Sequence, residues 1–202
     1  MANRGFVGFV TDNTEKITYV HDESRPQYLG RYVLAWLRRR AVTDGLVSAR
    51  RKAAALRLVG HDDTPTPADA ARLARWTDLN VSKQSTADWY CLLRHTQGRP
   101  SAILQAGVAI DASDVPLDSV WTEWGYLLDF DTNRFEVYRG SQYQPHTEGR
   151  FASRTPFADA NDGFDCYSCA LVAAWPLTAL PTCGEFMDAY YSGFKPALLV
   201  SA

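Results

Sequence analysis

The chain has 202 residues, of which 46% are hydrophobic and 22% are charged, a composition that suits one globular domain with a sizeable core. Its 21 basic and 23 acidic residues give a formal charge of -2, which disfavours a nucleic-acid binder that works by neutralising phosphates. No apolar run is long enough to span a membrane and the first residues lack the order of a secretory signal, so we expect a cytoplasmic protein.

The first predicted element is a β-hairpin. Residues 5–11 and 16–21 are rich in apolar and β-branched side chains, as strands are. The four polar residues 12–15 between them include Asp and Asn, which are typical of turns because their side chains bond to the nearby backbone.

A helix is predicted after the polar residues 21–26. Ser24 is in position to cap it, and Pro26 suits its first turn. Three arginines, residues 38–40, lie near its C-terminal end, where cations interact favourably with the helix dipole. We expect its stripe of apolar side chains to face the core. That stripe comprises Tyr28, Leu29, Tyr32, Val33, Trp36 and Leu37.

Further helices are predicted before residue 107. Thr66 is followed by a proline and then an acidic residue, which is a typical helix start. Either Ser85 or Thr86 is expected to cap a later helix. All of them belong to a helical insert at about residues 29–106, within a single domain that covers residues 1–202. The further helices are predicted at residues 43–59, 66–76, about 85–97 and 101–106.

The clearest pattern in the chain is a second hairpin at residues 121–140. Large apolar side chains alternate from Trp124 to Phe130, as on a half-buried strand. Polar residues 131–134 suit a turn, and residues 135–138 are mostly aromatic or β-branched, as on a returning strand.

The rest of the chain completes an α+β prediction. Residues 107–120 show no clear pattern, and the polar residues 141–165 are predicted to be a long loop. The mostly apolar residues 166–177 are predicted to form a buried strand. Thr182 and Glu185 fit a capping box before a final short helix. We therefore expect a small antiparallel sheet, built from two hairpins and a further strand, covered by several helices.

The polar segment between the first hairpin and the first helix is the best candidate for chemistry. His21, Asp22, Glu23 and Arg25 bring an imidazole, two carboxylates and a guanidinium to the start of a helix, where free amides can bind an anion. Helix capping and solvated loop charges explain the same residues, and the sequence favours that structural interpretation. If the segment is a site, Arg4, His21 and Arg25 are its candidate ligand-binding or partner-binding residues.

The cysteines do not form a convincing metal site. Cys166 and Cys169 have the spacing of one ligand pair, but structural zinc sites usually have a second close pair, which is missing here. On a strand, side chains three positions apart point to opposite faces. We therefore expect reduced cysteines, no metal and no cofactor. No phosphate-binding glycine loop or hydrolase motif occurs in the sequence either.

Three stretches resemble an uncharacterised family of phage and mobile-element proteins. The first has Arg4 and Gly5 before a hairpin, then the polar residues 21–26. The second is a hairpin of the form E-W-x-Y-x-x-D-x-D, then E-V-Y-x-G, from Glu123 to Gly140, and the third is an L-P-x-x-x-E-F close at residues 180–186. The resemblance covers about a third of the chain and implies a provenance and an outline, but no activity.

Three functions remain open. The first is a phage-type accessory protein that binds a host or phage macromolecule, with a protein as the partner and a host-takeover or anti-defence role. The second is a hydrolytic enzyme that uses His21, Asp22, Glu23 and Glu123 for acid–base chemistry. The third is a binder of a small anionic ligand through Arg4 and Arg25. An exposed aromatic patch would favour the first, and a pocket containing these residues would favour the others.

Overall fold

The computed structural model describes residues 3–43, 45–156 and 166–194. Within them, five strands form one sheet. The first hairpin contributes β1 (Gly5–Thr11) and β2 (Thr14–Val20), and the second contributes β5 (Trp124–Asp129) and β6 (Arg134–Arg139). The fifth strand is β7 (Ala170–Pro176), and the order across the sheet is β2-β1-β5-β6-β7. The predicted α+β class, with two hairpins and a further strand in one sheet, is confirmed.

The two hairpins meet through a parallel pair, while the other neighbours in the five-stranded sheet are antiparallel. β1 runs alongside β5, so that Gly5 lies opposite Trp124 and Val10 opposite Asp129. Parallel neighbours need a long crossover connection, and here the crossover is the whole segment between β2 and β5.

In its described residues, that crossover carries five α-helices and a second, two-stranded sheet. The helices are α1 (Arg31–Ala41), α2 (Gly45–Ala54), α3 (Pro67–Leu73), α4 (Trp89–Leu93) and α5 (Pro100–Ala106). The small sheet pairs β3 (Arg57–Val59) with β4 (Val108–Ile110) in parallel. After the sheet, α6 (Cys183–Tyr191) closes the described chain and begins with the predicted capping box of Thr182 and Glu185.

Alternation along the strands gives the large sheet two buried faces. Val7, Phe9, Tyr126 and Leu128 belong to the core that includes side chains of α1, α2, α5 and α6. The neighbouring residues in sequence, such as Phe6 and Leu127, point to the opposite face and pack with Phe151 of the 141–156 loop. Because both faces are covered, β1 and β5 are buried along their whole length.

A charged cluster lies on the second face, below the same loop. Arg150 donates hydrogen bonds to Asp129 and Glu136 and pairs with Glu15, and Arg154 pairs with Glu15 as well. Asp129 is only 2% exposed. Its burial alone would raise the pKa of its carboxyl, but hydrogen bonds from Thr132 and the Arg150 guanidinium hold the pKa below its usual range.

Several local predictions differ from the structure. The helix predicted at residues 43–59 ends at Ala54, and residues 57–59 form β3 instead. Neither Ser85 nor Thr86 caps α4, because Asp88 accepts the hydrogen bond from the Tyr90 amide. The apolar stripe of the first helix buries Leu29 and Val33, whereas Tyr28 and Tyr32, one residue earlier in each turn, are exposed.

Candidate functional site

The candidate site is built at the end of the sheet where β1 and β5 begin. The carbonyl oxygen of Arg4 accepts two hydrogen bonds there, one from Ser24 Oγ at 2.8 Å and one from the Glu123 amide at 2.9 Å. The Ser24 carbonyl in turn accepts a hydrogen bond from the buried hydroxyl of Tyr126. These hydrogen bonds hold the polar segment against the sheet. Ser24 is completely buried there.

Ser24 is therefore a link between segments, and the prediction that it caps a helix is wrong. The helical chain starts with a single π-type segment, Pro26–Gly30, whose N-cap position is Arg25, and no side chain caps it. Gly5 makes the close contact possible. A side chain at residue 5 would place its Cβ 2.1 Å from the Trp124 carbonyl oxygen and 2.5 Å from Ser24 Cβ, so only glycine fits.

Arg25 and Glu23 form a bidentate ion pair at this end of the sheet. Arg25 Nε lies 2.6 Å from Glu23 Oε1, and Nη2 lies 2.7 Å from Oε2. This bond from Arg25 is the main reason that the pKa of the Glu23 carboxyl is lowered. The hydrogen bond to Glu23 is also the main reason that the pKa of the Arg25 guanidinium is raised, and the charge of Glu123 adds to the effect. Each side chain of the pair is 40% exposed, so the pair faces solvent.

Two guanidinium groups at the same end lie against exposed aromatic rings. Arg4 Cζ is 4.7 Å from the centre of the Trp121 ring, and Arg25 Cζ is 5.5 Å from the centre of the Tyr28 ring. Both distances are within the range of a cation–π interaction. The rings remain accessible, with Trp121 52% exposed and Tyr28 57% exposed.

Tyr32 adds a third ring to this surface. It follows Tyr28 by four residues, a spacing that places side chains on one face of a helix, and it is 43% exposed. We call the set Arg4, Arg25, Tyr28, Tyr32 and Trp121 the Arg–aromatic surface. The sequence predicts Tyr28 and Tyr32 in the core, which is wrong, because helical spacing alone does not show which edge of an apolar stripe faces solvent.

His21 and Asp22, the other residues predicted for the site, lie next to α4. Asp22 pairs with Arg94 at 2.7 Å, next to α4, and the Tyr19 hydroxyl lies 3.2 Å from His21 Nδ1. His21 Nε2 and Asp22 Oδ1 are 3.9 Å apart. The four residues proposed for acid–base chemistry are thus divided: His21 and Asp22 face the α4 side, while Glu23 and Glu123 lie by Arg25.

Cys169 lies in the hydrophobic cluster on the second face of the sheet. Burial raises the pKa of the Cys169 thiol, which makes it a poor metal ligand or nucleophile. His146 Nε2 lies 2.7 Å from the carbonyl oxygen of Ser168. Across the described ranges, no three His, Cys, Asp or Glu side chains lie close enough together to hold a metal ion.

Comparisons with models of protein families, with curated proteins and with solved structures gave no match for this chain. The resemblance to the phage and mobile-element family therefore remains a prediction from sequence motifs. In the part of the chain that the structure describes, none of the helices has the length and apolar character that crossing a membrane requires.

Proposed function

We propose that the chain is a small accessory protein that binds a protein partner through the Arg–aromatic surface. The observation that carries the proposal is that three aromatic rings, two of them stacked with arginines, stay exposed on one end of a protein that otherwise buries most of its large apolar side chains. Trp, Tyr and Arg are the residue types that supply most of the binding energy at protein interfaces.

The physical chemistry of these side chains supports a protein partner. A Trp or Tyr ring offers a large apolar area at a small cost in conformational entropy, and its polar atom can bond across an interface. The Arg25–Glu23 pair holds the guanidinium of Arg25 in one orientation before any partner arrives, so less entropy is lost on binding. The guanidinium of Arg4 is held instead by its cation–π contact with the Trp121 ring.

The two alternatives have less support. A hydrolytic site would need a free acid and a free base within reach of one substrate. Asp22 is instead paired with Arg94 and Glu23 with Arg25, and His21 Nδ1 lies 3.2 Å from the Tyr19 hydroxyl. A small anion would have to displace Glu23 from the fork of Arg25, and both side chains are 40% exposed, whereas small-ligand sites usually enclose most of the ligand.

The resemblance to phage and mobile-element proteins supports a more specific proposal about the partner. A phage-encoded accessory protein acts in the cytoplasm of the host cell, where its partner is a host protein or another phage protein. A role in host takeover or in countering a host defence follows from that setting. The -2 net charge favours a protein over a nucleic acid as the partner.

Affinity capture from a host-cell lysate tests the proposal. The tagged wild-type chain is compared with Trp121→Ala and Tyr28→Ala, and with Val47→Ala as a matched control. Val47 is also strongly exposed, but it lies on α2, whose Arg50 contacts Asp131 at the opposite end of the sheet. Truncation of a hot-spot aromatic residue costs at least about 2 kcal/mol, which is about a 30-fold loss of affinity.

The expected result is a partner that the wild type and Val47→Ala retain and that both aromatic variants lose, while all four proteins have the same melting curve. Arg25→Ala should weaken the same complex. A partner that binds Trp121→Ala and Tyr28→Ala as tightly as the wild type would contradict the proposed surface.

A further inference from the structure

A cavity of about 380 Å³ lies apart from the Arg–aromatic surface, between the two sheets and α4. Side chains from β2, from the end of α4, from α5, and from β4 and the turn after it line the cavity. This volume is in the range of sites that hold small organic molecules. The cavity has no local signal in the sequence, because its lining residues are spread from residue 18 to residue 115.

The interior of the cavity is mainly apolar and has two aromatic walls. Leu93, Ile103 and Ala109 are buried side chains that contribute to the lining. Tyr19 and Tyr90 present rings to the same space. Such a combination suits a ligand with a flat apolar body, because that body can stack on the rings and its apolar surface is then buried away from water.

Backbone hydrogen bonds hold the open side of the cavity in place. The Asp111 amide donates to the Val59 carbonyl at 2.9 Å, and the Ala112 amide donates to the Ile17 carbonyl at 3.1 Å. The turn after β4 is therefore fastened to both the small sheet and the large sheet. The cavity is formed before any ligand binds, which lowers the entropic cost of binding.

The charged groups in the lining favour a cation. The described lining includes the carboxylates of Asp111 and Asp114 and no Arg or Lys side chain. Its imidazole, His61, lies 3.6 Å from the exposed carboxylate of Asp62. Ser113 bonds to one oxygen of Asp111, and the other oxygen and the Asp114 carboxylate have no hydrogen-bond partner in the described chain. The guanidinium of Arg94, 5.9 Å from the Tyr90 ring centre, is already paired with Asp22.

The other polar side chains of the lining are Thr18, Tyr19, His61, Tyr90, Thr96 and Gln97. Gln97 uses its Oε1 to accept hydrogen bonds from Arg94 and from the His21 amide, which leaves its amide nitrogen for a ligand. The Tyr90 hydroxyl has no hydrogen-bond partner within the described ranges. From this lining we propose that the cavity binds a small organic cation with a flat apolar body, its ammonium group at the carboxylates and its ring between Tyr19 and Tyr90.

Three indole compounds of similar size test this proposal, because they differ mainly in charge. Tryptamine is a cation, indole-3-ethanol is neutral and indole-3-acetate is an anion. Binding to the full chain is measured by calorimetry and by saturation-transfer NMR. With two exposed carboxylates near the ammonium group, we expect tryptamine to bind about fivefold more tightly than the alcohol and about 20-fold more tightly than the acid at low salt.

Three variants locate the binding. The doubly substituted Asp111→Asn, Asp114→Asn protein should bind the three compounds with nearly equal affinity. Asp12→Asn is the matched control, since it removes an exposed carboxylate in the turn between β1 and β2, and it should keep the preference for tryptamine. Val115→Trp should fill the cavity and abolish binding of all three compounds, with an unchanged circular dichroism spectrum as the check on folding.

The proposal does not depend on the proposed protein partner. Equal affinity for the three indoles, no binding at millimolar concentration, or tryptamine binding that survives Val115→Trp in a folded protein would each overturn it.

Discussion

Replacing Arg150 with Met tests whether the charged cluster under the 141–156 loop holds the structure together. Arg150 is the shared cation for Asp129 and Glu136, and all three side chains are largely buried. Methionine keeps most of the length of the arginine side chain but removes its charge and hydrogen bonds. Removing one partner of a buried ion pair leaves the other charge uncompensated, which costs about 3–5 kcal/mol of unfolding free energy.

The loss should depend on pH. In the wild type the pKa of Asp129 is lowered, so its ionised form contributes stability above pH of about 4 that disappears as the pH falls through the folded-state pKa. In Arg150→Met, the buried Asp129 carboxyl has lost its cation, so we expect its pKa to rise. Proton uptake then stabilises the variant between pH 7 and pH 5, and its deficit relative to the wild type shrinks.

Urea unfolding followed by tryptophan fluorescence at pH 7 and at pH 5 measures both effects. Arg154→Met is the matched control, because Arg154 bonds only to Glu15 in this cluster and its side chain is 37% exposed. After discounting for solvent screening, its loss should be about 0–1 kcal/mol. An Arg150→Met protein that loses less than 1 kcal/mol, or whose deficit is the same at both pH values, would show that Arg150 does not stabilise the buried carboxylates.

Three further outcomes are expected. Trp124→Ala should cost about 3–5 kcal/mol in urea unfolding, since the ring packs on Tyr190 and Phe194, and a loss under 1 kcal/mol would show that this contact does not matter. Ser24→Ala should cost about 1 kcal/mol, because Arg4 then loses one hydrogen-bond donor; an unchanged unfolding midpoint would contradict this role. A strong chelator should leave the melting temperature unchanged. A large fall in melting temperature, together with one equivalent of bound zinc before treatment, would show that the fold needs a metal.

The two hairpins and the capped helices could be predicted from sequence because their signals are local. The alternation from Trp124 to Phe130 and the helix starts at Thr66 and Thr182 depend on residues only a few positions apart, and the structure contains the strand and both capped helices. The prediction that this strand is half-buried is wrong, because both faces of β5 are covered. The turn of the first hairpin is shorter than expected. Asp12 and Asn13 both adopt positive φ, so two residues suffice to reverse the chain.

Other features could not be predicted because they depend on contacts between distant segments. β3 and β4 are three residues each, too short to show a strand period, and each exists only as the partner of the other. Arg150 finds its carboxylates 14 and 21 positions away, at residues that the sequence shows only as parts of a hairpin. The parallel contact between β1 and β5 likewise follows from the crossover, which has no signal in either strand.

Part of the geometry of the polar segment could be predicted. The polar segment does lie at a strand–helix junction, and Arg4, Glu23, Arg25 and Glu123 come together there as a group. The sequence could not show that His21 and Asp22 turn away toward α4. Nor could it show that Tyr28 is exposed, since a helical stripe of apolar residues is wider than the face that the core covers.

Site-specific photocrosslinking tests the proposed partner-binding surface most directly. A photoreactive phenylalanine derivative replaces Tyr28, Trp121 or Val47 in the full chain, which is then irradiated in a host-cell lysate. We expect the first two positions to crosslink to the same protein and the position on α2 not to crosslink to it. A partner captured from position 47 but from neither position 28 nor position 121 would contradict it.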